Sequence, residues 1–359
     1  MRYSYSFPVV RGKQANRDYY IAMVPLRMLE RLFPSDDEYV DPEYRAQRKI
    51  NNTRIPEIAR YVTSNRDSYV FSALAASIDG EFSFEGSDRE GDIGYLHVSM
   101  DARFLINDGQ HRKAALLNAI AEDPTLLDET ISIVFYADQG LAKSQQMFTD
   151  LNKHAVKTSN SIAELYDSRD ELAVITRTVI SDIPFLNEYV DKERDMLGKF
   201  SSKLFTLNNF YTANKRIVSR KMNNNTEQLL KEFWTGVVEN MEPWNELNSK
   251  QLTKIDLREN YIASQAVVVQ ALGRVGAYFY VQDNVELQEK ISRLRMINWK
   301  RSNNAWKARV IRANGRMITS EQAILLASNV IKKVLQIELT PEELRKEEEF
   351  TLLQNIQPK

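Results

Sequence analysis

Arg103-Phe-Leu-Ile-Asn-Asp-Gly-Gln-His-Arg-Lys-Ala-Ala-Leu-Leu-Asn-Ala-Ile120 is the stretch whose reading decides the fold. Residues 103–106 form an apolar strand signal that breaks at Asp108-Gly109 into an alanine- and leucine-rich helix over 113–120. The chain has only 3 histidines in 359 residues, and one of them sits in this turn beside Asp, Gly and Arg. A helix start presents unpaired N–H groups and a partial positive charge. Arg112 in the first turn makes that end suitable for a phosphate group. The turn reads as a site.

Working outward, the first half of the chain is mixed α/β in pattern. Residues 21–26 read as a strand and 28–32 as a short helix. Residues 41–63 are helical in character, with Pro56 in the first turn of a second helix. A strand over 69–78 meets Asp79-Gly80, a hairpin signal leading into 81–85. Residues 95–100 and 103–106 read as the next hairpin, closed near Asp101, and 130–136 as a further strand. A helix over 141–152 follows, ending close to Asn152 and His154. Beyond Ser161 the strand signals fade. Helical periodicity runs through 162–180, 226–241, 261–275, 285–296 and 320–335, and Thr319 or Ser320 is placed to cap the last of these. The expected class is α+β, with an α/β domain over 1–160 and a helical domain over 161–359.

Composition bounds the function without naming it. Hydrophobic content of 43 % and charged content of 27 % fit a globular protein. No stretch approaches the roughly 20 apolar residues of a membrane span, and the N-terminus lacks a signal-peptide core, so the expectation is a cytoplasmic protein without a membrane partner. There is no Cys, which excludes disulfides and thiolate chemistry. Three scattered histidines predict no metal centre.

The net charge of −1 conceals an uneven distribution. Residues 196–226 contain no Asp or Glu but include Lys215, Arg216, Arg220 and Lys221. Residues 290–320 are also free of acid and carry Lys300, Arg301, Lys307, Arg309 and Arg312. Aromatics accompany both stretches: Phe200, Phe205, Phe210 and Tyr211 in the first, Trp299 and Trp306 in the second. Cations supply salt-dependent affinity for a polyanion, and aromatic faces can stack on bases. Taken singly, either stretch reads better as a solvated helix face with its core anchors. The pair together shifts the reading toward a polyanion partner. Acidic pairs such as Asp36–Asp37 and Glu347–Glu348 read as solvated runs.

Within the motif each residue type has a chemistry. Asp108 can cap the helix, or hold a divalent ion beside a triphosphate. Gly109 tolerates a positive φ and close backbone approach. Gln110 can bond a base edge or a phosphate oxygen, and Arg112 can clamp phosphate through two parallel bonds. His111 can orient a water, donate to phosphate or act as a general base. The plain alternative is that Asp108 and Gly109 make the turn while His111 and Arg112 tie two loops together. Arg48 and Lys49 are further phosphate candidates. No Walker loop and no Gly-x-Ser-x-Gly elbow occurs.

The strand–turn–helix setting of Asp108-Gly-Gln-His-Arg112 resembles the signature of the DGQHR-domain family. Gln47-Arg-Lys-Ile50, Ile55-Pro-Glu-Ile58 and Met147-Phe-Thr-Asp-Leu-Asn152 resemble accompanying pieces of it. Length and the helical second half are most similar to its DndB branch, tied to DNA phosphorothioate modification. The resemblance implies a first domain distantly like the ParB and sulfiredoxin fold, with nucleotide phosphates held at the helix start. It implies a regulator that binds double-stranded DNA, a transcriptional repressor of the modification genes, with ATP or CTP and Mg²⁺ as candidate ligands at Gly109, Gln110 and Arg112. Other proteins of the modification system, and a second copy of the chain, are the protein partners it allows. A nucleotide hydrolase or metal-dependent nuclease using Asp108 and His111, and an assembly subunit of the modification complex, are the alternatives.

Overall fold

The computed structural model describes residues 3–34, 52–87, 90–138, 140, 146–147, 149–151, 158–198, 200–219 and 222–356. By internal contacts the chain divides into two compact units, Met1–Val156 and Lys157–Lys359. Arg48, Lys49, Asn152, His154, Arg220 and Lys221 lie outside the described residues, as do Asp36, Asp37 and most of the helix expected over 141–152.

The first unit is built on a mixed seven-stranded sheet. Its strands are β1 (Ser4–Gln14), β2 (Arg17–Pro25), β3 (Leu74–Asp79), β4 (Phe82–Ser87), β5 (Glu90–Ser99), β6 (Arg103–Asp108) and β7 (Thr130–Ala137), in the order β4-β5-β1-β2-β7-β3-β6. Every neighbour pair is antiparallel except β3 with β7. β1 and β2 close through Ala15-Asn16, whose φ of 50° and 60° match the right-handed twist of a two-residue hairpin. Alternation buries one face of β1, β2, β5 and β7: Phe7 and Val9, Ala22 and Val24, Leu96 and Val98, Ile131, Ile133 and Phe135. The same apolar core takes in Leu29 and Leu32 of α1 (Leu29–Leu32), Ala59 and Val62 of α2 (Ile55–Ser64), and Ala115, Leu116 and Ala119 of α3 (Gln110–Glu122).

Three expectations from the sequence are corrected here. The strand read over 69–78 begins only at Leu74, because the carbonyls of Ser72 and Ala73 accept from the Arg112 side chain instead of joining a ladder. Asp79-Gly80 does not close a hairpin. Residues Leu74 to Ile78 are buried on both faces and demand an interior position, so β3 lies between β7 and β6, while the largely exposed β4 takes the far edge beside β5. The hairpin expected near Asp101 is absent for the same reason: β5 pairs with β1 and β4, and β6 with β3.

The second unit is mainly helical, with the paired two-residue strands Val190–Asp191 and Phe205–Thr206 and an irregular segment over 297–320 among its described residues. Its centre is the helix Ala266–Val281, packed against helices Leu207–Val218 and Glu321–Val334. Gly273 and Gly276 permit that approach: a Cβ on either would lie 2.7 Å from the Ala213 carbonyl oxygen or 2.8 Å from Ile217 Cγ1. The stretch expected over 162–180 is split into Asn160–Tyr166 and Glu171–Asp182 by an Asp170 cap. The one over 261–275 starts only at Ala266, and the one over 285–296 is a short helix, Leu287–Ile291, continued by a 3-10 turn. Helices Thr226–Asn240 and Glu321–Val334 fall where the 3.6-residue period put them. Ser320 caps the last of these, accepting from the Ala323 N–H at 3.2 Å. All four tryptophans are buried in this unit. Its last helix, Pro341–Ile356, overturns the reading of Glu347 as solvated: that carboxylate is 8 % exposed and faces Arg309. The observed class is α+β, as the sequence indicated. Among the described residues no helix is long and apolar enough to cross a membrane.

Candidate functional site

The five motif residues sit at the junction of β6 and α3, and the junction is shaped by a bulge. Ala75 opposes Asp108 while Ala76 opposes Ile106, so Asn107 is an extra residue on β6. Its side chain is fully buried, with Nδ2 donating to Ser77 Oγ at 2.6 Å and to Met147 Sδ at 3.1 Å. Its Oδ1 has no hydrogen-bond partner among the described residues. Gly109 then turns the chain at φ 97° and ψ 16°, a left-handed conformation, and a Cβ there would stand 2.4 Å from Leu74 Cδ2.

Gly109, not Asp108, is the N-cap of α3, which corrects the capping role read for Asp108. Asp108 is still in the ladder opposite Ala75, so its carboxylate reaches forward to Arg112 Nη2 at 2.5 Å rather than back onto the helix start. The N-cap, being glycine, brings no side chain of its own to cap α3. Arg112 Nη1 donates to the Ser72 carbonyl at 2.7 Å, to Ser72 Oγ at 2.6 Å and to the Ala73 carbonyl at 2.7 Å. This guanidinium therefore joins the entry of β3 to the start of α3. His111 is half-buried in the same first turn, and Gln110 has its Nε2 buried without a partner among the described residues. The result is a helix start with a glycine N-cap and a neighbouring amide donor, held in shape by Asp108 and Arg112. Such a start can bond an anion through backbone N–H groups. A divalent ion at Asp108 would compete with the Arg112 guanidinium. Among the described residues no group of three or more His, Cys, Asp or Glu is arranged to hold a metal.

The cations of the helical unit divide into two kinds. Lys215, Lys300, Lys307 and Arg312 are exposed. Arg216, Arg301 and Arg309 are structural ties. Arg216 donates to Gln270 Oε1 at 2.8 Å and to both carboxylate oxygens of Glu321, at 2.9 and 2.6 Å. Arg301 donates to the Tyr261 and Arg258 carbonyls at 3.3 and 3.1 Å, and its burial lowers its pKa. Arg309 grips Glu347 at 2.8 and 2.5 Å and lies over the Phe350 ring. Lys215 rides on helix Leu207–Val218, whose start is a reciprocal cap between Thr206 and Asn209. Lys300, Lys307 and Arg312 belong to an irregular segment anchored by Trp299 and Trp306, stacked with centroids 5.6 Å apart.

That stacking corrects the expected role of the aromatics. Phe205, Phe210, Trp299 and Trp306 are all buried in the core, where no base can reach them. Of the aromatics named, Phe200 is the exposed one, and Tyr211 is half-buried with its hydroxyl donating to Asp170 at 2.5 Å. Two groups escaped the sequence reading. One is Asn107, whose bulge position depends on the partner strand. The other is Arg274 with Lys332 around Glu343, although Lys332 did carry a signal: it falls on the buried stripe with Leu325 and Ser328.

A family model described as DndB, DNA-sulfur modification-associated, matches residues 7–338, reaching across both units. Comparison with curated proteins and with solved structures returns no match.

Proposed function

This chain belongs to the DndB family and is a protein of a DNA phosphorothioation system; on that premise we propose that it is a DNA-binding regulator of the system, a transcriptional repressor. The observation that carries the reading is the fate of the acid-free segment 290–320. It folds on two buried tryptophans and turns Lys300, Lys307 and Arg312 to solvent, while Arg301 and Arg309 hold it in place. Exposed cations on a fixed backbone are what a phosphate-tracking surface requires. Near Arg312 the chain makes a tight turn, with the Gly315 N–H donating to the Arg312 carbonyl at 2.8 Å and the Arg312 N–H to the Arg316 carbonyl at 2.8 Å.

In the same reading the Asp108–Arg112 turn seats a phosphate of ATP or CTP. The glycine N-cap of α3 and the Gln110 amide, whose Nε2 has no partner among the described residues, support this. Arg112 acts there as a positioning residue.

Fluorescence anisotropy with duplex DNA tests the proposal. The triple variant K300E/K307E/R312E should bind more weakly, and the slope of log K against log salt should fall by roughly 0.9 for each phosphate that is no longer neutralised. Equal affinity and equal slope in variant and parent would sink the reading. Run with ATP or CTP and Mg²⁺, the assay should shift in the parent and not in Gln110→Ala.

A further inference from the structure

We propose that residues 310–318 form a hairpin finger that enters the major groove of DNA and reads guanine with Arg312 and Arg316. The inference rests on the DNA-binding reading above and adds the element that chooses the sequence.

The finger is three opposed residue pairs closed by a short loop. Ile311 bridges Met317 in antiparallel fashion. On one side of that bridge the Ile318 N–H donates to the Val310 carbonyl at 2.8 Å, and on the other the Arg312 N–H donates to the Arg316 carbonyl at 2.8 Å. The loop is Ala313-Asn-Gly315, with the Gly315 N–H returning to the Arg312 carbonyl and Gly315 itself at φ 79°. A three-residue loop with its last residue left-handed suits the twist of two paired strands. Asn314 Oδ1 accepts from the Arg316 N–H at 3.1 Å and so fixes the tip. The root is anchored as well: Val310 and Ile311 are buried, and Met317 and Ile318 pack against the same core.

Pleating decides where the arginines go. Successive residues on a strand face opposite sides, so with Ile311 and Met317 turned to the core, Arg312 and Arg316 stand together on the outer side. Residues 312–316 are all exposed. Directly opposed side chains have Cβ atoms about 5 Å apart, and like charges there repel. Neither guanidinium has a hydrogen bond or ion pair among the described residues, and residues 290–320 hold no acid to relieve the repulsion. An anionic partner relieves it.

The shape of the finger selects the groove. A two-stranded ribbon fits the major groove, about 12 Å wide, and not the minor groove of about 6 Å. Ala313 and Gly315 put no bulk beside the tip, which leaves the two guanidinium groups foremost. Their planar forks match the paired O6 and N7 acceptors of guanine, whereas a phosphate is served equally by the point charge of a lysine. The segment carries lysines at 300 and 307 but arginine at both positions of the finger. Asn314 is a positioning residue, since its carbonyl oxygen is engaged by the turn.

Selection from a pool of duplexes with a randomised centre, bound to the full chain and sequenced before and after, tests the finger. The parent should enrich sequences with guanine at fixed positions. Arg312→Lys and Arg316→Lys keep the charge and remove the fork, so each should lower the preference at its guanine about tenfold. Affinity for the unselected pool, and its salt dependence, should stay within about twofold, because the number of cations is unchanged. A parent that binds the pool but selects no sequence overturns the finger. So does a guanine preference that survives both variants, or a loss of unselected binding as large as the loss of selected binding. Each of those results leaves the DNA-binding reading standing, whereas a parent that binds no duplex overturns both.

Discussion

At the scale of single residues, the junction of β6 and α3 rests on Gly109. Its φ of 97° is open to glycine and strained for any other L-residue, and Leu74 occupies the space where a Cβ would go. Gly109→Ala should lower the unfolding free energy by about 2 kcal/mol, combining left-handed strain with displacement of Leu74. Urea denaturation measures this, and a change within about 0.5 kcal/mol, the scatter of ordinary surface substitutions, would contradict the assignment. Gly109 was legible in the sequence because an Asp-Gly pair between a strand and a helix has a local meaning. The partners of Arg112 were not, since Ser72 and Ala73 lie 40 and 39 positions away and arrive only through the pairing of β3 with β6.

At the scale of elements, the last helix shows how a charge run can be structural. Glu343 and Glu347 point inward from Pro341–Ile356 and meet Lys332, Arg274, Arg309 and Lys333. Burial alone would raise the Glu347 carboxyl, but hydrogen bonds from Arg309, Lys333 and Asn329 outweigh it and hold the group at about 2, against an ordinary 4.5. A carboxyl whose folded pKa is depressed stabilises fully above its unfolded value and loses that contribution as pH falls toward the folded one. The helix should therefore loosen between about pH 4.5 and pH 2, seen as faster amide exchange over 341–356 than over 266–281. Glu347→Gln should loosen it already at neutral pH and flatten the dependence. Exchange that is independent of pH in the parent would refute the account. From sequence, an amphipathic stripe of carboxylates looks like a solvated face, because its buried partners lie on elements distant in the chain.

At the scale of the whole molecule, the chain holds two separate apolar clusters, one within Met1–Val156 and one within Lys157–Lys359. Separate cores predict separate cooperative unfolding. Calorimetry of the full chain should resolve two transitions, and pieces 1–156 and 157–359 made apart should each show one of them. A single transition, with either piece unfolded alone, would show the two to be one cooperative unit. On the proposed reading, salt-dependent DNA affinity goes with 157–359.

The sequence by itself determined what is local: the strand–turn–helix at 103–120, the positive φ of Gly109, the Ser320 cap, the long helices of the second unit and, through these motifs, the family. Tertiary structure alone decided what is long-range. It set the order β4-β5-β1-β2-β7-β3-β6, turned Asp108 from a cap into the partner of Arg112, buried the tryptophans, and divided the basic residues into ties such as Arg301 and Arg309 and exposed cations such as Lys307 and Arg312. The physical reason is that turn geometry and helical period act over a few neighbouring residues. Whether a guanidinium meets water, a carbonyl or a carboxylate depends on which distant element packs against it.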